Sequence, residues 1–421
     1  MYLLLYYIAI FFSALVYEDL SNIELLRVGG LVVYIADGIS ILIFLAFCRF
    51  LQLRMKPTCR PLKLVCIFLG WIGVAVLLGF TRYGFRAIGE FRTMANYFAF
   101  FIPFLLSPSN GENKSDYLLN VFRNTLFVAA AATLLVFVAE LIAGGRIFIS
   151  SRMQEVAGGL EDFRGVRILN SDHAVHLTSL LILVVVSYAL KYRRDKELLI
   201  AAIILLMIIA YSKNRTAVVA LFASFGVWVA VNGYFKLLIS IVGGFLLLGG
   251  LLYVVSPGTV DNIVLAFGGI FNVSEDQTGQ FRLLVQAVAI QQGLQHPFFG
   301  EGFGNYFNYY IPQLGITYDV PPHSMYVYLF QKTGIVGTLL AISTVVYLSI
   351  WLFKKQKKFG GLDTRKQVYL NLLFVLILAE LFYGFAYNFS MFFGLYCGFG
   401  IALLCDGPDT SKPTGVRHGQ V

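Results

Sequence analysis

The sequence predicts an all-α, polytopic integral membrane protein with about 12 transmembrane helices. Three observations carry that prediction. Of 421 residues, 58% are hydrophobic and 13% charged, and the mean hydropathy is +0.76, far more apolar than a soluble domain of average make-up. Unbroken apolar runs such as 198–211 and 237–255 approach the length a helix needs to cross bilayer hydrocarbon. These runs are solid blocks, whereas a β-barrel would alternate apolar and polar residues.

Apolar blocks place spans near residues 2–17, 30–50, 63–80, 94–106, 120–142, 174–190, 197–211, 217–232, 237–255, 324–353, 367–384 and 387–404. The 94–106 block is short for a span and reads as tilted, re-entrant or not a separate span. The first block follows Met1 directly, without a basic n-region or cleavage site, and reads as a spanning helix rather than a signal peptide. Lys and Arg set the orientation, because cytoplasmic loops are enriched in them. With the N-terminus inside, the inner loops collect Arg49, Arg54, Lys56, Arg60 and Lys63, then Lys191, Arg193, Arg194 and Lys196. Lys354, Lys355, Lys357, Lys358, Arg365 and Lys366 follow, while the first outer loop holds Glu18, Asp19 and Glu24 against Arg27 alone. Both termini are expected in the cytoplasm. Residues 1–405 read as one transmembrane domain with a large outer loop at 256–323 and smaller ones at 81–93 and 143–173. The polar tail 406–421 reads as disordered.

Several classes are disfavoured. The net charge of +9 comes mainly from the short loops, which is a topology signal and not a nucleic-acid face. The five cysteines, Cys48, Cys59, Cys66, Cys397 and Cys405, are odd in number and lack paired spacing, so neither a disulfide frame nor a zinc site is expected. No Asp-x-Asp or His-x-x-x-His occurs, and the outer loops hold no carboxylate cluster beyond Glu161 and Asp162; no metal and no cofactor is expected.

The outer loops nevertheless carry cations. Arg82, Arg86 and Arg92 lie in TRYGFRAIGEFRTM; Arg146, Arg152, Arg164 and Arg167 lie in the loop ending RGVRILNSDH; Lys213 and Arg215 lie in SKNRTA. Held there against the sorting bias, they suggest an anionic ligand at the outer face, with snorkelling to lipid phosphates as the alternative. Arg82 and Arg86 are four apart, on one face of a helical turn, a spacing that suits a shared phosphate. Lys213 and Arg215 have the Ser212 and Thr216 hydroxyls beside them, and a guanidinium binds two phosphate oxygens at once. The bland reading of Arg215 is a helix-boundary residue.

The most polar stretch lying among membrane-length blocks runs from Gln280 to Gly337. Its FRLLVQAVAIQQG segment reads as an amphipathic helix on the outer leaflet with Arg282 in the first turn. The helix dipole disfavours a cation there, so Arg282 calls for an anion, unless it is a surface residue of a lipid-lying helix. The alternating Gly300, Gly302 and Gly304 follow no predicted strand, which fails the context of nucleotide-binding glycine motifs and leaves tight turns. His323 follows Pro321 and Pro322 and precedes an apolar helix. A helix N-terminus disfavours imidazolium, so the ring should be neutral and able to accept a proton; a capping histidine is the alternative. Gly334 and Gly337, just after Lys332, predict a break in that helix.

Taken in order, RTAVVALF after a short outer turn, the Arg-led segment ending HPFFGEGFGNY, and PHSMYVYLFQKTGIVG resemble the O-antigen ligase and O-antigen polymerase superfamily over about Ser212 to Thr338. Two positions depart from its pattern: Ser324 stands where Asn is usual, and Lys332 where an acidic residue is common. The resemblance implies a fold similar to C-type membrane glycosyltransferases. It implies metal-independent transfer of a glycan from an undecaprenyl-pyrophosphate-linked oligosaccharide to an acceptor at the periplasmic face of the bacterial inner membrane. Carried over, Arg215 and Arg282 would bind the pyrophosphate and His323 would act as base. Arg282 followed by Gly293 fits the Arg-x10-Gly spacing of polymerases; ligation to lipid A core or to a protein hydroxyl is the alternative. Membrane lipids and, for a polymerase, a chain-length regulator are the further partners implied. A transporter is the rival from another class, but no internal repeat is visible and the polar residues gather at one outer face.

Overall fold

The computed structural model describes residues 2–15, 24–28, 31–34, 43, 45–48, 60–106, 113–143, 171–192, 196–211, 215–258, 261, 277–305, 309–311, 316–318, 322–359, 363–385 and 391–405. Within them the apolar blocks are helices: α1 (Tyr2–Leu15), α2 (Arg60–Tyr83), α3 (Arg86–Ala95), α4 (Ile102–Leu105), α5 (Lys114–Ala143), α6 (Ser171–Ala189) and α7 (Lys196–Tyr211). They continue with α8 (Arg215–Asn232), α9 (Phe235–Val255), α10 (Gln277–Gly293), α11 (Met325–Phe359), α12 (Thr364–Tyr383) and α13 (Met391–Cys405). Among the described residues, five helices are long and apolar enough to cross a membrane: α2, α5, α9, the Met325–Lys357 part of α11, and α12. Shorter apolar helices lie within α6, α7, α8 and α13. The surface fits a lipid solvent. Helix α9 exposes Ile239, Leu246, Leu247 and Leu251 together, an apolar face that a soluble monomer rarely presents to water.

Two segments differ from expectation. The block at 30–50 was expected to be wholly helical, yet β2 (Leu31–Tyr34) pairs antiparallel with β1 (Glu24–Val28). Val28 pairs with Leu31, and the intervening Gly29-Gly30 between two largely apolar segments is a hairpin signal in the sequence. Residues 43 and 45–48 are helical as expected. The 94–106 block is a broken segment: α3 ends at Ala95, a 3-10 turn covers Asn96–Phe101, and the single-turn α4 carries Pro103 near its start. Proline lacks the amide that would continue the preceding turn. The segment is nonetheless interior, with Phe100, Phe101, Ile102 and Phe104 buried, and Gly398 of α13 lets the Phe100 backbone approach closely. A second small hairpin joins β3 (Tyr309–Ile311) and β4 (Ile316–Tyr318).

Several polar side chains inside the bundle pair with one another, as is favoured where no water can substitute. Trp228 Nε1 donates to Asn371 Oδ1 (2.8 Å), tying α8 to α12. Ser179 and Tyr396 hydroxyls meet at 2.8 Å between α6 and α13, and those of Tyr6 and Thr125 at 2.8 Å between α1 and α5. Helices α8 and α12 run antiparallel. Trp228 near the end of α8 meets Asn371 near the start of α12, while Ala217 and Ala220 share a small cavity with Ala379, Glu380 and Tyr383. The first turn of α8 therefore lies beside the last turn of α12.

Helix α11 is broken at Gly334 (φ 67°, ψ −172°), the break expected after Lys332. The glycine-rich loop fills the gap. Glu301 N donates to Gln331 O (2.8 Å), Gly302 N to Lys332 O (3.1 Å), and Ile335 N to Pro297 O (2.8 Å). On its other side the loop rests on α2, where a Cβ at Gly302 would stand 2.6 Å from Gly79 N, and one at Gly79 would strike the Phe303 backbone. Backbone lies on backbone there. Gly79→Val is therefore expected to lower stability by about 2 kcal/mol through overpacking, seen as a reduced Tm in detergent. Gly70→Val, where a Cβ meets no described atom within 4 Å, should leave Tm unchanged; equal shifts in both variants would contradict the packing.

Candidate active site

Helix α10 lies along the head of α11. Val285 and Ala289, four apart, are buried, and Gly293 lies under the Phe330 ring. Gln331 Nε2 donates to Gln292 Oε1 at 2.7 Å. The helix begins at Gln277, so Arg282 is in its second turn and not in the first. The dipole argument for an anion at Arg282 lapses, since that effect fades beyond the first turn. Its charge is felt instead by His323, whose imidazole it helps push down.

His323 stands two residues before α11. Ser324 N donates to Pro322 O (2.7 Å), and Tyr328 N to Ser324 O (2.9 Å), which starts the helix. The head of α11 is tied to the end of α12: Met325 N donates to Gly384 O (2.9 Å), and Tyr326 OH to Leu381 O (2.7 Å). From the other side Gln286 Nε2 of α10 reaches the His323 carbonyl at 3.4 Å. Burial, and then the Arg282 guanidinium, push the His323 imidazole down to about 4. The ring is neutral at pH 7, as expected from the sequence, although desolvation rather than a helix dipole is the main cause.

The structure thus brings Arg282 near enough to His323 for its charge to lower the imidazole pKa. It also places Ala217 and Ala220, near the start of α8, beside the last turn of α12, whose following Gly384 holds the head of α11. The side chains of Arg215 and Arg92 lie outside the described residues, as do Lys213, Arg164 and Arg167 altogether. Arg82 and Arg86 do not share a helical face. Helix α2 ends at Tyr83, Gly84 turns the chain (φ 62°), and α3 starts at Arg86. Arg82 Nη1 donates instead to Glu301 O at 2.9 Å, and Arg86 is exposed. The shared-phosphate argument from their spacing is withdrawn on that geometry.

Sequence reasoning missed a buried polar cluster under the loop. Lys332 Nζ lies 3.0 Å from Glu90 Oε1, with the two side chains 0% and 3% exposed, and donates to Asn305 O at 2.9 Å. The other Glu90 oxygen accepts from Gly304 N at 2.5 Å. Burial pushes the Glu90 carboxyl up, while Lys332 and the Gly304 amide pull it down. Nearby, Glu301 Oε1 accepts from Tyr83 OH (3.2 Å) and from the Asn305 amide. A signal existed: Lys332 is an ionisable residue inside an apolar helix, and Glu90 is the one carboxylate among three arginines in TRYGFRAIGEFRTM.

A guanidinium beside a neutral imidazole can bind an anion and accept a proton at adjoining points. Among the described residues no group of three or more His, Cys, Asp or Glu is placed to hold a metal ion. Residues 200–342, about a third of the chain, match the family model described as O-antigen ligase, which supports the O-antigen ligase and polymerase superfamily. The match covers α8, α10, the glycine-rich loop and the head of α11. That family implies a glycosyltransferase-type membrane enzyme acting on a lipid-linked glycan and an acceptor. No curated protein matches the chain.

Removing the neighbouring cation should ease protonation of the ring. Carbethoxylation of His323, followed by mass spectrometry across pH, is expected to titrate near pH 4 in the native protein and at higher pH in Arg282→Ala. An unchanged midpoint would separate the two residues.

Proposed function

We propose that this chain, with the O-antigen ligase pattern over residues 200–342, is a bacterial inner-membrane glycosyltransferase. It moves a glycan from undecaprenyl pyrophosphate to an acceptor hydroxyl at the periplasmic face. The observation that carries the reading is a neutral His323 beside Arg282, at the end of the bundle where α8 begins with Arg215. In the full reading about twelve helices span the membrane in a C-type layout, with both termini in the cytoplasm.

The chemistry follows from charge. Pyrophosphate is a good leaving group, so no general acid is required. As the bond from the anomeric carbon to the phosphate oxygen breaks, charge grows on that oxygen, and Arg215 and Arg282 stabilise it where a metal ion otherwise would. The acceptor hydroxyl oxygen forms the new glycosidic bond and passes its proton to the His323 imidazole. A single in-line displacement inverts the anomeric centre. Lys213, Arg82, Arg86, Arg92, Arg164 and Arg167 add a positive field that draws the anionic headgroup. The acceptor in this reading is another glycan chain, which makes the enzyme a polymerase. Because the matched family model is that of the ligase, transfer to lipid A core is the second reading. An assay with purified protein and lipid-linked oligosaccharide, offered either acceptor, separates the two by product size.

His323→Ala is expected to abolish transfer while the protein still inserts and binds carrier lipid, and Arg282→Ala to weaken donor binding. Transfer by His323→Ala at the native rate would remove the base assignment. A bound pyrophosphate offsets Arg282 and raises the imidazole pKa, so the acid limb of kcat should lie at higher pH than that of kcat/KM. Coincident limbs would count against an anion beside the ring. Transfer should also survive EDTA; loss on chelation with rescue by magnesium would show a metal requirement.

A further inference from the structure

The Glu90–Lys332 pair takes no part in the transfer chemistry above, yet it joins α3, the glycine-rich loop and α11 at one point. Two charges buried to this degree give little net stability over apolar residues of similar size. What they do fix is geometry. Below the break at Gly334, the head of α11 is a stub of nine residues, Met325–Thr333, whose last carbonyls are met by loop amides and no longer by the following turn of helix. Gln331 O accepts from Glu301 N and Lys332 O from Gly302 N, so the tilt of the stub depends on where the loop sits. The loop is seated by charge: Lys332 Nζ bridges Glu90 and Asn305 O, and Glu90 holds Gly304 N.

We propose that Glu90 and Lys332 are positioning residues, an ionic clamp that seats loop 300–305 in the break of α11 and so aims His323 at the substrate beside Arg282. The lever is long enough to matter. Seven helical steps separate Lys332 from Met325, about 10 Å of rise, and His323 lies two residues further on, so a tilt of roughly 5° moves the ring by about 1 Å, a displacement that can lower a rate roughly 100-fold.

The inference rests on His323 as the proton acceptor, and the test separates the two. Glu90→Gln with Lys332→Met removes both charges and strands neither. In reconstituted membranes, the double variant is expected to lose at least tenfold in kcat with donor KM changed less than twofold. Carbethoxylation of His323 should accelerate several-fold relative to the exposed His296. A pair that merely stabilises would reduce the yield of folded protein but leave kcat per folded molecule and His323 reactivity unchanged, and that result would overturn the clamp. If the double variant does not accumulate in the membrane, Glu90→Asp keeps the charge but shortens the reach, and should give the same split between kcat and KM. His323→Ala run alongside reports on the base assignment alone, while the carbethoxylation arm reads the clamp whether or not that assignment holds.

Discussion

A guanidinium and an imidazole held together where water is scarce do not both carry charge, because each opposes the ionised form of the other and desolvation adds to the cost. Arginine keeps its proton under all ordinary conditions, so the histidine yields. Burial does most to hold the His323 imidazole neutral near pH 7, and the charge of Arg282 adds to it. A guanidinium in turn binds an anion well, because two of its N–H groups can meet two oxygens at once. In the proposed reading, the anion-binding and proton-accepting halves of the transfer site both follow from this one juxtaposition.

Maintenance is needed because α11 is not a continuous rod. A break in a helix leaves carbonyls and amides that must be met by other groups where water is excluded. Here the glycine-rich loop meets them, with Glu301 N and Gly302 N on one side of Gly334 and the Pro297 carbonyl on the other. The loop can lie this deep only because glycines on both sides let backbone touch backbone, at Gly302 and Gly79. The glycines that resemble a phosphate cradle in sequence are a packing device in the fold. The upper end of the stub is tied to Gly384 after α12, and its flank to α10 through Gln292 and Gln331. The head of α11, and His323 before it, is thus tied to α12, to α10 and to the loop.

The helices were legible because hydrocarbon demands long apolar runs, and the break at Gly334 because two glycines interrupt one of them. The neutral state of His323 was also foreseen, though for the wrong reason. Locating Arg282 in a first turn failed because the polar QTGQ lead-in to α10 carries no apolar periodicity, which hid the earlier helix start. The Arg82–Arg86 spacing misled because Gly84, between them, ends one helix and opens the turn into the next. The β1–β2 hairpin was concealed by an apolar composition that suits strand and helix alike, with Gly29-Gly30 as the unused clue. Lys332 and Glu90 each stood out locally, but their pairing was beyond a reading of local pattern. Its members lie in different parts of the chain, and only the folding of the loop between α2 and α11 brings them within 3.0 Å.

The central claim is that residues 282 and 323 adjoin each other on the outer side of the membrane. It is tested most directly by replacing both with cysteine, after removing Cys48, Cys59, Cys66, Cys397 and Cys405, and offering a short, charged, membrane-impermeant bis-maleimide to sealed right-side-out vesicles. A bridge between the two positions, formed without permeabilising the vesicles, is the predicted result. A bridge that forms only after permeabilisation, or none under either condition while each single cysteine reacts, would contradict the account.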